Sequence, residues 1–258
     1  MICRTILMAM MAVLTIMPAF SQHDSKSLSI TLSSPGDVLV TSAEGKRLGR
    51  NPINVQGYEE IAGAEVLRSP GRGPVYVVPP GVANKPLTIT IYGREARRDA
   101  KLLIAGLNFV FGVNDIPLGK GAVITIRVTP VGDLLEYSSN LASAMPRIAL
   151  AIDPTDNKKP SYIFEVHRTP LGEGETLRIT HLDERSFGFG DDSKKRAAYE
   201  IKIKRINADG SVKEFGAAEL KAKRANHFLV DLTKWDAKTL PCLRADDNAK
   251  GVYKAKCR

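Results

Sequence analysis

The chain has 258 residues, 43% of them hydrophobic and 25% charged, a globular composition that excludes a disordered protein and is enough for one large or two small domains. A formal charge of +9 raises nucleic acid as a partner, but the 37 Lys and Arg residues are scattered among 28 Asp and Glu instead of forming one block. No DNA- or RNA-binding signature accompanies them, so nucleic acid is excluded as the expected partner.

The chain begins MICRTILMAMMAVLTIMPAFSQ, in which Arg4 precedes an apolar run from Ile6 to Phe20. Ala19 and Ser21 occupy the small-residue positions before a cut ahead of Gln22, so residues 1–21 read as a secretory signal peptide. The run is shorter than the roughly 20 residues a bilayer span needs, and the chain has no second one. A secreted or periplasmic protein is expected, with no stable membrane insertion after cleavage. Cys3 lies on the wrong side of the apolar run for a lipid anchor.

From Leu28 the chain reads as strands. SLSITL (27–32) alternates polar and aliphatic residues, and Pro35-Gly36 then turns into a strand around Val38 and Val40. Ala43-Glu44-Gly45 turns again into a short strand ending at Asn51-Pro52. Residues 54–74 hold several glycines and few aliphatics and read as a long surface loop, with Tyr58 and Ile61 as anchors. A strand from Val75 to Val78 is stopped by Pro79-Pro80. LTITIY (87–92) places Leu87, Ile89 and Ile91 on one face, and further strands are expected at 100–104, 107–113 and 122–128. Short strands without helical stretches between them indicate a sandwich or barrel.

Residues 132–146 interrupt this rhythm and read as either a linker or one short helix between two domains. Strands resume at 147–152, 161–167, 176–182, 198–206, 212–215 and 227–232. Asn207-Ala208-Asp209-Gly210 supplies the Asp-Gly signal of a hairpin. A terminal hairpin is expected from 240–245 and 252–256.

The run SPGDVLVTSAEGKRLGRNP, followed by YEEIAGAEV and LTITIYG, resembles a module of bacterial secreted and cell-surface proteins. The resemblance spans residues 34 to 93, with Ala62 where that module usually has proline, and YEIKIKRINADGSVKEF with VDLTKWDAK is similar to the β-rich region that accompanies it. It implies a β-sandwich accessory or interaction domain and brings no catalytic residues. The expected fold is therefore all-β: two antiparallel β-sandwich (Ig-like) domains in tandem, at 27–131 and 147–258, after the signal.

Removing the signal leaves Cys242 and Cys257, and an exported chain with two cysteines is expected to join them as a disulfide across the mouth of the terminal hairpin. Closing a loop of about 15 residues is worth roughly 3 kcal/mol. Two cysteines alone make no structural zinc site, and His227, the nearest histidine in sequence, lacks ligand spacing.

Catalytic chemistry finds little footing. No Gly-x-Ser-x-Gly elbow or phosphate-binding loop occurs, and Phe187-Gly188-Phe189-Gly190 runs into Asp191 and Asp192, which repel phosphate. His167 and His181 sit at strand ends and are the only histidines a hydrolase of envelope polymer would have to use. Asp209 and Asp246-Asp247-Asn248 offer oxygens of the kind calcium takes, without the spacing of a calcium loop. Trp235, the single tryptophan, either caps the core or stacks on a sugar. The sequence thus predicts a non-enzymatic interaction or scaffold protein without cofactor or metal, its partner a protein or an acidic envelope polymer. The alternatives are a carbohydrate-binding module using Trp235 and, behind it, an envelope-polymer hydrolase using His167 or His181 with a neighbouring carboxylate.

Overall fold

The computed structural model describes residues 27–255 except 34–35, 69–72, 83–84, 95–97, 143, 155, 157, 169, 184, 194–196, 223–226, 233–234, 236–241 and 247–252. In chain order the strands are β1 (Leu28–Leu32), β2 (Gly36–Thr41), β3 (Arg47–Asn51), β4 (Gln56–Glu59), β5 (Glu65–Leu67), β6 (Val75–Val78), β7 (Leu87–Gly93), β8 (Arg98–Gly106), β9 (Phe109–Leu118) and β10 (Val123–Val128). They continue as β11 (Leu134–Ser139), β12 (Arg147–Ile152), β13 (Ser161–Arg168), β14 (Thr176–Asp183), β15 (Ser186–Asp191), β16 (Ala197–Ile206), β17 (Val212–Ala222), β18 (His227–Asp231), β19 (Cys242–Asp246) and β20 (Tyr253–Ala255).

All pairings are antiparallel and fall into two sheets that form a sandwich. The nine-stranded sheet A runs β17-β16-β13-β12-β9-β8-β1-β6-β5, and the eleven-stranded sheet B runs β20-β19-β18-β15-β14-β11-β10-β7-β2-β3-β4. The period-2 pattern of the sequence explains the register. Val66, Tyr76, Ile30, Ile104, Phe111, Leu150, Phe164, Ile203 and Phe215 are successive cross-strand partners, one apolar row crossing all of sheet A. Opposite it, Leu87, Val128, Leu135, Ile179, Phe189 and Phe228 make a row in sheet B. One-residue slips would turn each strand's aliphatics outward, so burial fixes the register.

The rows meet in one core. Phe164 stacks on Phe187 at 5.2 Å between ring centroids, and Phe189 meets Phe228 at 5.0 Å and Tyr199 edge-on at 5.2 Å. Such rings contribute about 0.5–1.5 kcal/mol per pair beyond the area they bury. The buried cluster includes Leu28 and Ile30 as well as Val230 and Trp235, so it extends from the first strand to the C-terminal part of the chain.

Three segments depart from the sequence reading. Residues 134–139, expected as linker or helix, are β11, which turns Leu135, Tyr137 and Ser139 inward and pairs with β10 and β14. Leu134 and Leu135 suggest a helix locally, but two waiting strand edges favour the alternating set Leu135 and Tyr137. The 54–74 loop contains β4 and β5, both short, and its expected anchors Tyr58 and Ile61 are buried at 4% and 3% exposure. The glycine-rich run at 187–190 is β15, a strand inside sheet B. A side chain at Gly188 would put its Cβ 2.2 Å from Thr180 Oγ1, so glycine there permits close strand pairing.

Candidate functional site

The N-terminal edge of sheet B builds the most exposed apolar feature. Gly49 in β3 holds a φ of +110°, and a Cβ there would lie 2.1 Å from Val38 O, so only glycine allows β3 to lie this close to β2. Beyond Gly49 the strand continues to Asn51, which pairs with Gln56 across a turn made of Pro52, Ile53, Asn54 and Val55. Ile53 is 79% exposed and Val55 69%. Val55 also sits at φ 56°, in the left-handed region that β-branched residues avoid.

The turn is wired internally. Ile53 N–H donates to Asn51 Oδ1 at 2.9 Å and Gln56 N–H to Asn54 Oδ1 at 3.3 Å. Asn54 Nδ2 donates to the Tyr58 hydroxyl at 2.7 Å, which donates to Gln56 Oε1 at 3.0 Å. Pro52 has no N–H to satisfy. The Arg47 guanidinium lies 3.8 Å over the Tyr58 ring and bonds Glu60 at 2.8 and 3.0 Å, fixing the base of the hairpin. Residues 51–58, NPINVQGY, carry no charge.

Cations surround this neutral tip. Buried Asp37 on β2 is bonded by Arg94 and approached by Arg50 Nε at 3.8 Å. The side chains of Arg94 and Arg50 remain 42% and 49% exposed. Exposed Lys120 lies in the turn whose Ala122 carbonyl accepts from Gly93 N–H at 2.9 Å, next to Arg94. Exposed Asp99 and Asp115 belong to sheet A, and exposed Glu59 ends β4 three residues beyond Gln56.

The residues singled out from sequence fall elsewhere. His167 and His181 lie in different sheets, on β13 and β14. His167 faces out beside Arg147, Glu165, Glu200 and Lys202, around a dimple of about 10 Å³ that has room for one water. Its Nδ1 is 3.8 Å from Glu200, and the Lys202 ammonium bonded to Glu200 holds that carboxyl below its ordinary value, with His167 and Arg147 adding. This is a charge-paired sheet face. His181 packs on Phe187 at 5.4 Å.

Trp235 is 6% exposed and belongs to the core cluster, the capping position. Asp209 accepts from Ser211 N–H at 2.9 Å and Ser211 Oγ at 2.6 Å, so its Oδ1 organises the hairpin turn. Cys242 opens β19, its side chain and all of Cys257 lie outside the described residues, and so do Asp247 and Asn248. Among the described residues no group of three His, Cys, Asp or Glu is placed to hold a metal, and no helix is long and apolar enough to cross a membrane.

Sequence reasoning missed the hairpin tip, because Ile53 and Val55 read as ordinary loop residues between Pro52 and Gln56. The available signal was two aliphatics in an otherwise polar, uncharged turn. No protein-family model, no curated protein and no solved structure matches this chain.

Proposed function

We propose that this protein is a secreted, non-enzymatic interaction module of the bacterial envelope or extracellular space, and that the Ile53–Val55 hairpin tip is its contact point. The apolar run from Ile6 to Phe20 supports export. The observation that carries the contact role is Val55: a β-branched residue in a left-handed conformation, 69% exposed, pays about 1–2 kcal/mol for a position that adds nothing to the core. Strain retained at an exposed turn is characteristic of a working surface. Burying Ile53 and Val55 against a partner returns about 1.5–3 kcal/mol each.

The finer architecture in this reading is two Ig-like units, 27–131 and 147–258, fused edge to edge through β9, β11 and β12. In the oxidising compartment that export implies, Cys242 and Cys257 form a disulfide. What supports it is the count: once the signal is removed, Cys242 and Cys257 are the two cysteines the sequence has left.

The test is co-sedimentation with the envelope fraction of the source cells. Ile53→Ser with Val55→Ser is expected to weaken retention at least about tenfold. Val131→Ser, at a 71% exposed position at the opposite end of sheet B, is expected to change nothing. Equal retention of the double variant and the wild type would sink the contact role.

A further inference from the structure

Resting on the reading of the tip as the contact point, we infer that its partner is an anionic lipid surface, into whose headgroup boundary Ile53 and Val55 insert. Three features of the same turn point there. The two aliphatics are both largely exposed on a tip with no charge between Arg50 and Glu59, so nothing ionic has to be dehydrated when it enters. Of the four N–H groups from Ile53 to Gln56, two, those of Ile53 and Gln56, are already held by Asn51 and Asn54, and Pro52 has none, which lowers the cost of taking this backbone out of water. A protein pocket could supply such bonds itself; a bilayer cannot, and internal wiring therefore favours lipid.

Charge gives the sign of the surface. Arg50, Arg94 and Lys120 stand around the base of the tip, with Asp37 buried between the two arginines, on a chain of net charge +9. A basic collar around a short apolar tip attracts an acidic headgroup layer and then holds by insertion. Two aliphatic side chains give reversible attachment, not a span.

The experiment places a reporter at the tip. Ile53→Trp adds an indole at an exposed position, while native Trp235 is 6% exposed and gives a constant background. The full chain is mixed with vesicles of phosphatidylcholine alone or with phosphatidylglycerol, and with lipids brominated along the acyl chain. Expected is a blue shift and bromine quenching of the added indole on phosphatidylglycerol vesicles, reversed by salt and absent on phosphatidylcholine. Arg50→Gln with Arg94→Gln should weaken vesicle binding about tenfold or more at low salt without moving the Trp235 emission. Val55→Ser in the reporter background should weaken it as well.

An indole that stays water-exposed on vesicles the protein binds would overturn the inference, as would equal binding to both lipids. If the tip variants lose envelope retention while purified lipids give no indole shift, the partner is an envelope protein or acidic polymer. The lipid assignment then fails and the contact role stands. Unchanged envelope retention of the tip variants removes both.

Discussion

Arg168 carries its charge at 2% exposure, and every neighbour answers it. Its Nε donates to Asp191 Oδ2 at 2.5 Å, one terminal nitrogen donates to Pro170 O at 2.6 Å, and the other lies 3.7 Å from Glu175. The Tyr199 hydroxyl also bonds Asp191, and Ser193 donates to Asp191 and Glu175 at 2.8 and 2.6 Å. Burial opposes the guanidinium charge, but the Asp191 bond and its charge outweigh that, so the Arg168 pKa stands above its ordinary value. The network joins β13 and β16 of sheet A to β15 of sheet B. Asp191→Ala removes the buried cation's closest carboxylate and is expected to cost about 3–5 kcal/mol in urea unfolding, while Tyr199→Phe costs about 1–3. Equal effects would show that the ion pair is not what matters.

Tyr137 poses a different balance. Its hydroxyl is buried without a hydrogen bond of acceptable geometry, and burial pushes the phenol far above its ordinary value, with Ser139 opposing. A folded pKa above the unfolded value of about 10 means stability is intact below pH 10 and is lost as pH rises beyond it. Tyr137→Phe should therefore be neutral or slightly stabilising at pH 7. Above pH 10 it should reduce the fall of stability by about 1.4 kcal/mol per pH unit, read from urea midpoints across pH 9–12.

Single elements differ in how openly they are written. LTITIY and YEIKIKRI show their inward faces directly, and both form strands there, with Ile89 and Ile91 and with Ile201 and Ile203 fully buried. The Asp-Gly turn is equally legible: Gly210 sits at φ +82° between β16 and β17. β11 and β15 are not, because each is made a strand by its neighbours; β15 relies on Gly188 fitting against Thr180, a contact between segments. The tip was illegible for the same reason, since exposure of Ile53 and Val55 is a property of what fails to cover them. At the C-terminal hairpin the proposed disulfide predicts an intact mass two hydrogens below the reduced chain, measured without reductant on protein from its native compartment. Two alkylatable thiols at Cys242 and Cys257 would refute it.

At the scale of the molecule, the sheets pass without a break from the N-terminal strands to the C-terminal ones. β9 pairs with β12 over six residue pairs from Asn114–Arg147 to Phe109–Ile152, and β11 joins β10 to β14. Cutting between residues 131 and 147 would expose strand edges in sheet A and divide one core. Equilibrium unfolding is accordingly expected as a single transition by fluorescence and circular dichroism together, whereas two separated transitions would mean independently stable halves. The edges themselves are managed: β4, β5 and β20 are short, and the long edge strand β17 carries a bulge opposite Tyr199–Ile201 that spoils regular pairing with a further strand.

From the sequence alone came the all-β class, most of the strands and their inward faces, because alternation along a strand is a local property set by the backbone's two-residue period. The buried anchors Tyr58 and Ile61 were equally readable. Only the tertiary structure decided that residues 134–139 bridge two halves of one sheet, that Trp235 lies within the core, and that His167 and His181 stand on separate sheets. It alone showed Ile53 and Val55 on an uncovered tip beside Arg50 and Arg94. Those outcomes depend on which distant segment lies against each residue, and burial and charge environment are sums over neighbours that no local pattern contains.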